Sequence, residues 1–85
     1  MKEFTYTVKE TLGLHARPAG LLVRCVKTLG SKVTIARGDE VTEGTRLMSI
    51  MAMGVKQGET VKVTVEGETE EEDVVVVRKF FEDNL

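Results

Sequence analysis

Two short stretches near opposite ends of this 85-residue chain do most to limit its fold. Phe4, Tyr6 and Val8 alternate with Thr5, Thr7 and Lys9, and Val61, Val63 and Val65 alternate with Lys62, Thr64 and Glu66. A period of two sends successive side chains to opposite faces of a pleated strand, so each stretch reads as a strand with one buried and one wet face. Val33 and Ile35, flanked by Lys32, Thr34 and Ala36, give another strand, and Gly38-Asp39 suits a tight turn into a short third strand around Val41.

The segments between these strands change period. Ala19, Leu22, Val23 and Val26 recur at helical spacing after Pro18, which predicts a helix from about Ala16 to Thr28, ended by a left-handed glycine at Leu29-Gly30. Leu47, Met48, Ile50, Met51 and Met53 predict a second helix over Thr45 to Met53, stopped by Gly54. Val74 to Val77 has strand propensity, yet Thr69 with Glu72 reads as a capping box and acidic residues 70 to 73 suit a positive helix end. With Val76, Val77, Phe80 and Phe81 on one face, the final segment reads as a helix. The expected order is β-α-β-β-α-β-α. It describes an α+β, open-faced two-layer β-sandwich in a single domain, 1–85, with a four-stranded antiparallel sheet covered on one side by three helices.

His15, the only histidine, falls where the first strand and its loop meet the first helix, in Gly13-Leu14-His15-Ala16-Arg17-Pro18-Ala19. Proline lacks a backbone donor, which the first turn of a helix tolerates, so Pro18 places His15 at or near the N-cap. The backbone amides of Ala16 and Arg17 then face the space beside the ring and suit an anion. Arg17 adds a permanent charge for phosphate oxygens, and a neutral imidazole nitrogen is a nucleophile near physiological pH. Phosphoryl transfer rests mainly on positioning and charge stabilisation, so a site this small suffices when a partner protein brings the rest.

The 12 basic and 14 acidic residues leave a net charge of −2, which argues against a nucleic-acid partner. One cysteine cannot close an internal disulfide, and with one histidine it cannot supply the four ligands of a structural zinc site, so no metal or cofactor is expected. Cys25 reads as packing. No stretch approaches the roughly 20 apolar residues of a membrane span, and the expected location is the cytoplasm, without membrane insertion.

The motif around His15 resembles the active-site signature of the HPr family, the histidine-containing phosphocarrier proteins of the sugar phosphotransferase system. Gly54-Val55-Lys56-Gln57-Gly58-Glu59 and the acidic start of the last helix are similar to that family at the expected distances. The resemblance implies a phosphocarrier rather than an enzyme: His15 accepts a phosphoryl group, on Nδ1, from enzyme I and donates it to enzyme IIA components, with Arg17 in support. Gram-positive members carry a regulatory serine opening the second helix, and counting without gaps from His15 puts that position on Arg46. Ser49-Ile50-Met51 echoes the serine pattern, but aligning it requires a shift and then a deletion before Gly54, so Ser49 is not taken as the regulatory site.

One buried face of a short helix cannot absorb all five apolar residues of the second helix. Leu47, Met48 and Met51, with Gly20 and Arg24, are therefore the expected partner interface, and the resemblance implies the same region. A monomer is expected, because exchange with two partners uses one free face. The alternative of a non-carrier regulatory paralogue, acting only by protein-protein binding, is weighed against by the presence of both His15 and Arg17.

Overall fold

The computed structural model describes residues 1–85. Its elements are β1 (Lys2–Thr7), α1 (Ala16–Lys27), β2 (Lys32–Arg37), β3 (Glu40–Glu43), α2 (Leu47–Met53), β4 (Thr60–Glu66) and α3 (Glu70–Asn84). The strands form one antiparallel sheet in the order β1-β4-β2-β3. The two alternating stretches that constrain the fold are neighbours in it, with Phe4 opposite Val63 and Tyr6 opposite Val61.

Alternation sets which face is covered. Phe4, Val33, Ile35, Val61, Val63 and Val65 are buried and join Leu22, Val26, Ile50, Val77 and Phe81 of the helices in one core. Phe81 is fully buried and meets Phe4 and Tyr6 edge-on, with ring centroids 5.7 and 5.5 Å away. Removing such a side chain from water contributes about 3 kcal/mol. The other sheet face is wet, and the Lys62–Glu3 and Lys32–Glu43 ion pairs and the Thr7–Thr60 and Thr34–Thr64 hydroxyl contacts lie on it.

The helices differ from expectation in their details. α1 ends at Thr28, whose own conformation is right-handed, and Gly30 has no positive φ; instead the Thr28 hydroxyl donates to the Cys25 carbonyl at 2.7 Å. With the Thr28 and Leu29 amides also donating to Cys25 and Val26, the last carbonyls are bonded without a left-handed glycine. α2 begins at Leu47, two residues later than predicted, because residues 44–45 form a turn in which the Arg46 amide donates to Glu43. Gly54 does end it, with φ +60°.

At α3 no capping box forms. The Thr69 hydroxyl donates to Asp73, and the Gly67 amide donates to Glu70, while Glu72 stays exposed. The buried face is Asp73, Val77 and Phe81, joined by half-buried Val74 and Phe80; Val76 lies outside it, 44% exposed. A carboxylate bonded to distant Ser31 turns the helix so that residues spaced four apart face the sheet.

Candidate functional site

His15 is the N-cap residue of α1, with extended backbone (φ −87°, ψ −174°) and no capping bond from its side chain. The first intrahelical bond runs from the Ala19 amide to the His15 carbonyl at 3.0 Å. Pro18 occupies the third helical position and has no N–H, so the first turn offers two intrahelically unpaired donors, the amides of Ala16 and Arg17. No acidic residue stands in that turn to neutralise them. The half-buried imidazole thus borders two free amides and the exposed Arg17 side chain, a set that attracts a dianion.

The loop before His15 is held in place from below. Gly13 has φ +69°, and a Cβ there would collide with the backbone of Val55 and Lys56. Glycine alone permits that approach, which lets the Leu14 amide donate to the Val55 carbonyl at 2.9 Å. The Val55 segment is fixed in turn: Glu59 accepts from the Lys56 amide at 2.7 Å and from Arg37 at 3.0 Å, and Arg37 also donates to the Met53 carbonyl at 2.7 Å. Arg37 and Glu59 thereby anchor the floor of the site to the β2–β3 hairpin, a support that the sequence pattern did not reveal. The backbone bond from Lys56 holds the Glu59 carboxyl below its ordinary range, with Arg37 adding to the effect.

Two clefts flank the imidazole. One is lined by Glu10, Leu12, Arg17, Pro18, Leu21, Asp83 and Asn84 with His15. The other is lined by Leu12, Leu14, Ala16, Met51, Gly54, Val55 and Lys56 with His15. Met51 therefore lines one cleft together with the histidine, and Leu47 (38% exposed) and Met48 (76% exposed) stand outside the core while Ile50 and Met53 enter it. Gly20 leaves open space where a side chain would be, and Arg24 is exposed one helical turn further on. α1 and α2 pack together, which brings the two sets of candidate interface residues onto neighbouring helices.

Other residues singled out in the sequence fall elsewhere. Arg46 is the N-cap of α2, and Ser49 is half-buried; both line a separate depression with Lys32, Thr34 and Glu43 that does not include His15. Cys25 is partly buried, and burial pushes its thiol pKa up, as for an unreactive thiol. Leu12, which the sequence reading passed over, lines both clefts and is 70% exposed. A large apolar residue in a loop three positions before the histidine was the available signal.

The family profile described as "PTS HPr component phosphorylation site" matches residues 2–83. The chain belongs to the HPr family. The crystal structure of HPr-C-His from Thermoanaerobacter tengcongensis matches it with a TM-score of 0.91 at 36% identity, covering 98% of this chain and 93% of that one. Phosphocarrier protein HPr of Xylella fastidiosa is 29% identical over 85 residues, covering all of this chain and 96% of that protein. The multiphosphoryl transfer protein of Haemophilus influenzae is 43% identical over 67 residues, which is 75% of this chain and 13% of that protein. The chain thus spans a small part of the multiphosphoryl transfer proteins it matches and nearly the whole of the single HPr proteins. The chain therefore has both the sequence profile and the fold of the HPr component of the phosphotransferase system. No helix is long and apolar enough to cross a membrane.

Proposed function

We propose that His15 is the residue that carries the phosphoryl group, through Nδ1, taking it from phospho-enzyme I and giving it to enzyme IIA components in sugar uptake. The observation that supports this most directly is the N-cap position of His15 beside the unpaired Ala16 and Arg17 amides. The imidazole nitrogen attacks phosphorus as the bond to the donor's nitrogen breaks, and the reverse exchange delivers the group to the acceptor. Backbone amides fixed before the reaction stabilise charge on the equatorial oxygens without reorganising, and the exposed Arg17 guanidinium adds its charge. Gly20, Arg24, Leu47, Met48 and Met51 form the docking face, apolar with a basic border, and transient use of one face by two partners fits a monomer working in the cytoplasm. Arg46 in place of a serine at the head of α2 leaves the serine-kinase branch out of this reading.

Intact-protein mass spectrometry at mildly alkaline pH, after incubation with enzyme I and phosphoenolpyruvate, tests the assignment. One acid-labile phosphate is expected on the wild type and none on His15→Ala, with both folded by circular dichroism. Phosphate on the His15→Ala protein would move the site elsewhere.

A further inference from the structure

We infer that Leu12 is a positioning residue that screens the phosphorylated His15 from water, an inference that rests on His15 as the phosphoryl acceptor. Leu12 and His15 are the two residues shared by both clefts, so they form the boundary between them. Leu12 takes no part in the core and is 70% exposed, so burial in the fold does not account for an apolar side chain there.

Its placement is nonetheless fixed. The Gly13 amide donates to the Glu10 carbonyl at 2.9 Å, the Leu14 amide donates to Val55, and Gly13 lies against the Val55–Lys56 backbone. A turn held by these bonds on both sides of Leu12 keeps the residue at the boundary that the two clefts share with the imidazole.

A carrier has to keep its phosphoryl group between partners, and the competing reaction is hydrolysis. In that step a water oxygen bonds to phosphorus as the P–N bond breaks. The bond's electron pair returns to the imidazole nitrogen, which takes one water proton, and inorganic phosphate leaves. Arg17 and the two amides favour charge on the phosphoryl oxygens for water as much as for an acceptor protein, so they do not discriminate between the two reactions. An apolar wall does, because it removes hydrogen-bonding positions for water near phosphorus and leaves a docked protein nucleophile unhindered. Pro18 and Leu21 add apolar surface to one cleft, opposite Glu10 and Asp83, but Leu12 is the apolar residue that borders the imidazole's clefts on both sides.

The test follows loss of phosphate from protein phosphorylated with enzyme I and phosphoenolpyruvate, freed of both, by 31P NMR at neutral pH, for wild type, Leu12→Ala, Leu12→Ser and Leu12→Met. The expected result is a lifetime roughly threefold to tenfold shorter for Ala and Ser, restored by Met, with unchanged thermal unfolding. Equal lifetimes in wild type and Leu12→Ala would overturn the inference while leaving the His15 reading intact. A Met variant as short-lived as Ala would also overturn it, since the effect would then come from the turn and not from an apolar wall. A wild type that takes no phosphate would overturn the His15 reading itself, and this inference with it.

Discussion

Helices α1 and α3 both begin with a positive end, and the protein treats the two ends in opposite ways. The first turn of α1 contains no acidic residue and no side-chain cap, and its only basic side chain there, Arg17, adds to the positive field. The first turn of α3 carries Glu70, Glu71, Glu72 and Asp73, and its neighbouring donors are taken up: Gly67 by Glu70, and Ser31 and Thr69 by Asp73, both hydroxyls at 2.7 Å. Along their whole lengths α1 holds Arg17, Arg24 and Lys27 with no acid, whereas the acidic residues of α3 outnumber its two basic ones, Arg78 and Lys79. A small net negative charge conceals this separation. One helix end is neutralised by the chain itself and stabilises the fold, and the other keeps its field for an incoming anion, which is why chemistry is assigned to His15 and structure to Asp73.

The sharpest way to break that division is to remove the charge at α1. Arg17→Ala is expected to slow phosphoryl transfer about a hundredfold while leaving thermal unfolding unchanged. Equal transfer rates from the two proteins would mean that the backbone amides suffice.

At the other end Asp73→Ala leaves the Ser31 and Thr69 hydroxyls without their acceptor and should cost about 2 kcal/mol, roughly a thirtyfold fall in the folded-to-unfolded ratio. Chemical denaturation measures this, and transfer by the folded variant should be unchanged. Bonds from Ser31 first and Thr69 second hold the Asp73 carboxyl below its ordinary range. Its contribution is therefore complete above about pH 4 and is lost as pH falls through the lower folded value, so the stability gap between wild type and variant should close on acidification. A gap independent of pH would show that the carboxylate charge is not what Ser31 and Thr69 recognise.

The smallest expected effect is at the docking face. Met48→Ala should weaken binding of enzyme I by about threefold to fivefold in calorimetry without moving the unfolding temperature, since the side chain is 76% exposed. A lowered unfolding temperature would return Met48 to the core.

The contrast between the helix ends was half legible in the sequence. His15, Arg17 and Pro18 are contiguous, so local rules for helix starts were enough to place two free amides beside a histidine. The strands were legible for a similar reason, because alternation is written residue by residue in Phe4 to Val8 and Val61 to Val65. Asp73 was not, because its partner Ser31 is 42 residues away and a local capping box with Glu72 fits the same letters. That distant bond also sets the rotation of α3, so Val76 was misplaced on the buried face and half-buried Val74 was missed. Gly30 is not the helix stop because the amides of Thr28 and Leu29 already bond the Cys25 and Val26 carbonyls, with the Thr28 hydroxyl as a second donor to Cys25. Arg37 and Glu59, which support the Val55 segment under the site, lie 22 residues apart and become partners only once β2, β3 and the loop before β4 are assembled.

On the proposed function, the first turn of α1, and not that of α3, receives the phosphoryl charge. Backbone amide NMR spectra before and after phosphorylation by enzyme I test this most directly. The largest shifts are predicted at the Ala16 and Arg17 amides, with those of Glu70 to Asp73 unmoved; largest shifts outside the first turn of α1 would contradict it.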